Sequence, residues 1–298
     1  MENKKLRLQF EKALDNIVAK FRKDKKCLAL VLLGSMSHDL IWEWSELEIL
    51  AIYNDSYKGD RYYNLYEQEV WIVLNIMKRS DFCTYIESAD FSDYWFCALS
   101  KSTMLFSRDI TVNEFLEDIF YIGDRDREIE MLMGFSEAIY HLNKAEKNFR
   151  VMENIENALY FLPELARGIA WIEVARNRAV PEREIIAQAR QYNPEIFKKI
   201  YDPLFYKQVK YEIIDNILKA AHKYMEENTR EVYRPIISYL KEHGTLKDFS
   251  LKARGTGLNI KTCYDWLYRM GITDRYSEPI KISNQLDDFY ELGYRIKG

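Results

Sequence analysis

The sequence comprises 298 residues with a formal net charge of −4, of which 48% are hydrophobic and 30% are charged. This balance is that of an ordinary globular chain long enough for two or three domains, and no stretch reaches the length of a membrane span, so we expect no membrane partner. The four cysteines and four histidines are scattered without a CxxC pair, which disfavours zinc or histidine-based catalysis and predicts a cytoplasmic location.

The N-terminal segment predicts one helix and two buried strands. Residues 4–25 carry apolar side chains at helical spacing. Continuous apolar runs follow at Cys27–Leu33 and Leu47–Tyr53. Their length and composition suit strands buried on both faces, although periodicity alone does not exclude a helix for the first run. Gly34 and Ser35 end the first run, either as a simple turn or as a phosphate cradle ahead of a helix N-terminus.

Two acids stand at the start of the second run. Glu46 and Glu48 are two positions apart, so in a strand both carboxylates project to one side. They are either exposed acids at a strand edge or a pair that a cation holds together. Mg²⁺ suits the second interpretation, because it is often bound by one or two carboxylates together with substrate phosphates.

These features together resemble the signature of the nucleotidyltransferase superfamily that includes DNA polymerase β and the aminoglycoside nucleotidyltransferases. That signature is a hydrophobic strand, Gly-Ser, roughly ten residues, and then acid-x-acid on the next strand, often preceded by Ser. In this chain it reads Leu33-Gly34-Ser35, followed by Ser45-Glu46-Leu47-Glu48. The whole-chain layout also resembles bacterial nucleotidyltransferase-like proteins that have a helical middle and a C-terminal helix-turn-helix.

The resemblance implies a Mg²⁺-dependent enzyme that moves a nucleoside monophosphate from a nucleoside triphosphate to an unidentified acceptor and releases pyrophosphate. It implies that Glu46 and Glu48 bind the metal and act in catalysis, and that Gly34, Ser35 and Ser45 contact the substrate. The first acid is Glu46 where the family usually has Asp.

A third catalytic carboxylate is expected from the family on the next strand, which the apolar run at residues 70–74 predicts. Along it this chain offers Trp71, Val73 and Asn75, and Glu69 serves only if the strand begins there. Loss of the third acid favours a second hypothesis, namely a catalytically degenerate regulator or ligand sensor that acts through the C-terminal segment.

Further short core segments complete the predicted first domain. Residues 82–86 and 95–99 are apolar, and residues 103–106 predict a last short strand. Arg108 follows it in a basic-acidic pair that resembles the family's strand-ending segment, and it either contacts a substrate phosphate or lies solvated on the surface.

The middle of the chain, residues 112–228, is helical in pattern. We predict helices at residues 114–121, 128–148, 154–176, 181–191 and 206–227. Pro181 suits a first helical position, and Pro163 is expected to kink or break its helix. An aromatic set belongs either to the core of this bundle or to a cleft facing the metal site; it comprises Tyr140, Tyr160, Phe161 and Trp171.

Residues 229–298 carry 12 Lys+Arg and 9 Asp+Glu, a balance of +3 (12 − 9). Predicted helices at 232–242, 245–254 and 260–270, with Gly271 as a C-cap and a wing at 276–282, outline a helix-turn-helix. Exposed residues of the third helix would contact nucleic acid or, equally, a protein partner; they are Asn259, Lys261, Thr262, Asp265 and Arg269, with Arg254 and Arg275 nearby.

The sequence therefore predicts an α+β protein: a nucleotidyltransferase-type mixed sheet with flanking helices at residues 1–111, an all-α bundle at 112–228, and a winged-helix-like domain at 229–298.

Overall fold

A computed structural model describes residues 2–38, 41–88, 94–119, 123–206, 210–243, 260–280 and 289–297. The chain divides into two compact units, Met1–Tyr121 and Ile122–Gly298. The predicted α+β class is confirmed. The C-terminal residues that we expected to form a third domain belong to the second unit.

Unit 1 combines a five-stranded sheet with helices. Its described elements are α1 (Glu2–Phe21), β1 (Cys27–Leu33), the 3-10 turn η1 (Ser35–His38), β2 (Leu47–Tyr53), β3 (Tyr62–Glu67), β4 (Val70–Lys78), α2 (Arg79–Ser88), α3 (Tyr94–Leu99), β5 (Thr103–Ser107) and α4 (Ile110–Asp118). The strand order is β3-β4-β2-β1-β5. β2 and β4 run parallel, and the other neighbouring strands are antiparallel.

The predicted strands β1 and β2 are confirmed at both ends, and their side chains are buried almost throughout. Alternation along β2 gives the sheet two distinct faces. The α1 face carries Leu47 and Ile49 of β2, which share a hydrophobic cluster with Phe10 and Ile17 of α1. The opposite face carries Glu48, whose partner across the parallel ladder is Val73 of β4.

Strand β3 was not predicted, and it forms a hairpin with β4. Gln68 and Glu69 form its two-residue turn with positive φ angles of 52° and 61°, the backbone that a tight type I′ hairpin turn requires. β4 therefore begins at Val70, after the turn.

Unit 2 is mainly helical. Its described elements are α5 (Asp124–Arg150), α6 (Ile155–Arg176), α7 (Ile185–Tyr192), α8 (Pro194–Ile200), the 3-10 turn η2 (Asp202–Phe205), α9 (Tyr211–Val232), α10 (Arg234–His243), α11 (Ile260–Arg269), β6 (Thr273–Ile280) and β7 (Phe289–Ile296). The last two strands pair as an antiparallel hairpin.

Helices α5 and α6 pack closely where Gly168 faces Ala138, since a Cβ atom on Gly168 would lie 2.7 Å from the backbone nitrogen of Ala138. Of the two outcomes expected at Pro163, a kink or a break, the break does not occur, since α6 continues through it. Pro163 is exposed, so its ring lies on the solvent side of α6. Pro181 also lies outside a helix, because α7 begins at Ile185.

The C-terminal elements pack into the same core as the bundle. Cys263, Trp266 and Leu267 of α11 and Tyr294 of β7 are buried in the cluster that α5, α6 and α9 form. Gly271 has a φ of 66° and ends α11 as predicted. The predicted helix at 245–254, with Arg254, and the cap residue Asn259 lie outside the described residues. The hairpin of β6 and β7 overlaps the predicted wing. Among the described helices, none combines the length and apolar character needed to cross a membrane.

Candidate functional site

The turn after β1 brings Gly34 against a carboxylate. Leu33, the last residue of β1, is the antiparallel partner of Glu48 on β2, so the chain turns beside that side chain. Gly34 has a φ of 68°, and a Cβ atom there would lie 2.7 Å from Oε1 of Glu48. Any side chain at this position would therefore displace the carboxylate, and only glycine lets the turn and the acid lie this close.

Two serines connect the turn to the loop before β2. The Ser35 hydroxyl donates a hydrogen bond of 3.2 Å to Oγ of Ser45, and the same Ser45 oxygen accepts one from the amide of Trp42 at 3.1 Å. The Ser37 hydroxyl donates to the carbonyl of Gly34 at 2.6 Å. The helix that we expected after Gly34 is a four-residue 3-10 turn.

The two acids of the motif lie at the start of β2. Glu48 is partly buried within the strand, and Glu46 is exposed immediately before it. Within the part of the chain that the structure describes, no group of three or more His, Cys, Asp or Glu residues is arranged to hold a metal. The Glu48 carboxylate lies beside the glycine turn, and Glu46 precedes it by two residues. Carboxylate oxygens are ligands that suit Mg²⁺, which takes its remaining ligands from phosphates and water.

The neighbouring strand carries no third acid on this face. Val73 faces the same side as its partner Glu48, as do Trp71 and Asn75 two residues to either side, and all of β4 is described. Glu69 lies in the exposed hairpin turn, where its carbonyl accepts a hydrogen bond of 3.4 Å from the Gln9 side chain. The condition under which Glu69 would serve as the third acid, a strand that begins there, is therefore not met.

Arg108 lies away from this group. Its guanidinium donates hydrogen bonds to the carbonyls of Asp24, at 2.8 Å, Cys27, at 3.2 Å, and Arg22. Cys27 begins β1 and Gly34 follows its end, so the strand separates Arg108 from the turn by roughly 20 Å. The structure thus gives Arg108 a role in closing the connection between α1 and β1, at the end of β1 away from Gly34. Its contact with a substrate phosphate stays a prediction.

The residues predicted to bind nucleic acid have varied surroundings. Lys261 is exposed on α11. Arg269 donates to the side-chain oxygen of Asn143 on α5 at 3.1 Å, and Asp265 accepts hydrogen bonds of 2.7 Å from both Arg275 and Tyr294. Asp265, Arg269 and Arg275 are therefore engaged within unit 2.

The four residues of the bundle's aromatic set differ in how far they are buried. Trp171 is buried, and its indole nitrogen donates to Oε2 of Glu130 at 2.7 Å, as expected for a core residue. Tyr160 is 72% exposed, Tyr140 is 41% exposed and Phe161 is partly buried.

A comparison with solved structures identifies the fold. The crystal structure of a nucleotidyltransferase-like protein from Exiguobacterium sibiricum 255-15 aligns with a TM-score of 0.64, covering 96% of this chain and 99% of that chain. This chain has a nucleotidyltransferase-like fold. The two sequences are 13% identical, so the likeness concerns the fold alone. No family model matches the sequence, and no curated protein does.

Sequence reasoning found the turn and the acids of this nucleotidyltransferase-like fold, but it missed the aromatic residues beside them. Trp42 and Trp44 in the loop before β2 are 61% and 75% exposed, and Tyr66 and Trp71 on β3 and β4 are 60% and 62% exposed. For β3 the available signal was Tyr62, Asn64 and Tyr66 at alternate positions, and it shows which residues share a face only when β3 is recognised as a strand.

Proposed function

We propose that unit 1 binds a nucleoside triphosphate together with Mg²⁺ at the Gly34–Glu48 end of the sheet. The bound nucleotide then transfers its nucleoside monophosphate to an acceptor. The observation that carries this proposal is the close approach of the Gly34 turn to the Glu48 carboxylate. A phosphate that approaches the glycine backbone also reaches the acid that would hold its counter-ion.

Each residue of the motif has a chemical role in this proposal. Gly34 lets the turn lie against the Glu48 carboxylate, so a phosphate bound at the turn would lie beside the metal ligand. The hydroxyls of Ser35 and Ser45 supply hydrogen-bond donors for its oxygens. Glu46 and Glu48 would hold the metal, which when bound neutralises phosphate charge and orients the triphosphate. Two carboxylates that share a site favour a bound cation, so binding of nucleotide should depend on Mg²⁺.

The transfer is a displacement at the α-phosphorus. A hydroxyl oxygen of the acceptor forms the new bond to phosphorus, the bond to the bridging oxygen breaks, and pyrophosphate leaves with the electron pair. Because β4 presents Trp71, Val73 and Asn75 beside Glu48, the acceptor proton passes to solvent in this scheme. We therefore expect slow turnover that depends on positioning and electrostatics.

Calorimetric titration of the four ribonucleoside triphosphates, with and without Mg²⁺, tests the proposal. The wild type should bind at least one nucleotide only when Mg²⁺ is present, and the Glu46→Gln/Glu48→Gln variant should lose this binding. Glu69→Gln is the matched control, because it removes one nearby carboxylate outside the group and should leave binding unchanged. Equal binding by the wild type and the double variant would remove these acids from the site.

A second candidate is a nucleotide sensor without turnover, and the aromatic and aliphatic residues of β4 opposite Glu48 favour it. In that case the nucleotide signal is read by a DNA or protein partner through the C-terminal segment, where Lys261 is exposed. Mg²⁺-dependent nucleotide binding without pyrophosphate release, in the presence of small-molecule, protein and RNA acceptors, would favour the sensor over the transferase.

A further inference from the structure

Two exposed aromatic side chains form a pair on the sheet face that carries Glu48. Tyr66 of β3 and Trp71 of β4 are direct antiparallel partners, so they project to the same side. Their ring centroids are 5.0 Å apart at an interplanar angle of 53°. Both residues remain exposed after this contact, Tyr66 at 60% and Trp71 at 62%. Pairing therefore leaves much of both ring surfaces available to a ligand.

The strand register fixes the position of this pair relative to the acid. Val73 is the partner of Glu48, and Trp71 lies two residues earlier on the same face of β4. One strand spacing and a two-residue rise separate the Cα atoms of Glu48 and Trp71 by roughly 8 Å. Across this face the order is thus the Gly34 turn, Glu48, Trp71 and then Tyr66.

We infer that Trp71 and Tyr66 form a stacking platform for the base of the nucleotide whose phosphates lie at Gly34 and Glu48. The inference rests on the proposed function. It adds that the aromatic pair recognises the base of the nucleotide. A nucleotide has an anionic end and a planar ring separated by a sugar. This face offers a glycine turn with acids for a bound cation on one side and an indole and a phenol on the other.

Stacking is the chemistry that these side chains supply. An aromatic face attracts any of the nucleotide bases, because every base has a π surface. The indole of Trp71 is the larger of the two rings. A cross-strand aromatic pair also stabilises a hairpin, but that role is satisfied by mutual burial and does not require rings that stay mostly exposed. The platform is also continuous with the phosphate end, so one ligand can contact both.

The test separates the base from the phosphates by using two probes on the full-length chain, MgATP and inorganic tripolyphosphate with Mg²⁺. Trp71→Ala should bind MgATP about tenfold to a hundredfold more weakly than the wild type, the range found for one stacked base. Its affinity for tripolyphosphate should be unchanged. Trp71→Phe, which keeps a ring, should bind MgATP more tightly than Trp71→Ala.

Tyr62→Ala is the matched control for loss of an exposed ring. Tyr62 lies on the same face of β3, 53% exposed, but its partner is Asn75, four residues along β4 from Trp71. This variant should bind MgATP as the wild type does.

Three results would overturn the inference. Trp71→Ala could bind MgATP as tightly as the wild type, or lose MgATP and tripolyphosphate to the same extent, or the wild type could bind the two probes with equal affinity. In all three cases Mg²⁺-dependent binding lost in Glu48→Gln would leave the proposed function standing. If the wild type bound neither probe, the proposed function itself would fail together with the platform.

Discussion

At the scale of single residues, the contact between Gly34 and Glu48 yields a sharp prediction. Gly34→Ala should destabilise unit 1, because a side chain at a φ of 68° is strained and its Cβ would lie 2.7 Å from the carboxylate. The left-handed backbone costs about 1–2 kcal/mol, and the steric overlap adds a cost of about 1–3 kcal/mol. Thermal unfolding of the variant measures the sum.

Two further variants separate the backbone cost from the steric cost. Gly271 has a φ of 66°, and apart from its chain neighbours no atom of the described residues lies within 4 Å of the place that a Cβ would take. Gly271→Ala should therefore show the backbone cost alone. In a Glu48→Ala background the atoms closest to Gly34 are absent, and Gly34→Ala should then cost no more than Gly271→Ala. A cost of Gly34→Ala that is the same with and without the Glu48 side chain would mean that the contact is unimportant.

The neighbouring residues also show what the sequence could reveal. Gly34, Ser35, Ser45 and Glu48 were predictable because their types and spacing carry the information, and β1 and β2 then bring them together. The role of Arg108 was not predictable in this way. Its partners are backbone carbonyls, which are present at every position and leave no trace in the side-chain sequence.

At the scale of elements, the start of α4 gives a prediction about pH. Asp109 caps this helix by accepting hydrogen bonds from the amides of Thr111 and Val112, and it receives a bond of 2.7 Å from Nε of Arg79. Burial raises the pKa of the Asp109 carboxyl, but the bond from Arg79 and the two amides outweigh burial, and the pKa is lowered from 3.8. The carboxylate is thus the form that the fold favours.

Because the folded pKa lies below the unfolded value, this stabilisation is fully present above about pH 4 and is lost as the pH falls through the folded pKa. Asp109→Ala should lower the free energy of unfolding by about 1–2 kcal/mol at pH 7, with a smaller effect at pH 3. Asp109→Asn keeps a capping oxygen and should lose less. Urea unfolding at both pH values measures this, and an effect that grows on acidification would contradict it.

The elements also differ in how well the sequence predicted them. β1 and β2 are buried on both faces, so each is a continuous apolar run whose ends are visible. β3 is an edge strand whose outward side chains are exposed tyrosines and an asparagine, and its turn at Gln68 and Glu69 uses neither glycine nor asparagine, so the usual hairpin signal is absent. The missed strand explains why Glu69 was considered for a position on β4.

At the scale of the whole molecule, the proposed site lies within unit 1. This determines which backbone amides a bound ligand should protect from hydrogen exchange. MgATP at one hundred times its dissociation constant should slow hydrogen exchange about a hundredfold for amides that exchange through opening of the site. We expect this protection in peptides covering residues 31–48 and 70–74. Hydrogen-exchange mass spectrometry with Glu46→Gln/Glu48→Gln as the control measures it, and protection confined to residues 123–297 would place the ligand elsewhere.

The tertiary packing of the C-terminal segment could not be predicted from its sequence pattern. Its helical periodicity and Gly271 predicted α11 and its end, but the pattern alone does not say which core receives the apolar side. Trp266 of α11 stacks on His222 of α9 and donates to Oγ1 of Thr229 at 2.8 Å. These contacts join residues far apart in the chain, so they make the segment part of unit 2.

The place of β4 in the sheet has a consequence for how the protein folds. β4 follows β3 in the chain, yet it lies between β2 and β3. Until β4 is inserted, the edge of β2 is open, and β3, which follows it directly, is the first strand able to pair there. Such a meander would be a kinetic trap, because the pairing of β2 with β3 would have to break before β4 could take its place beside β2. Early closure of the β3–β4 hairpin, a local event, protects the chain from that trap and delivers Trp71 to the candidate site.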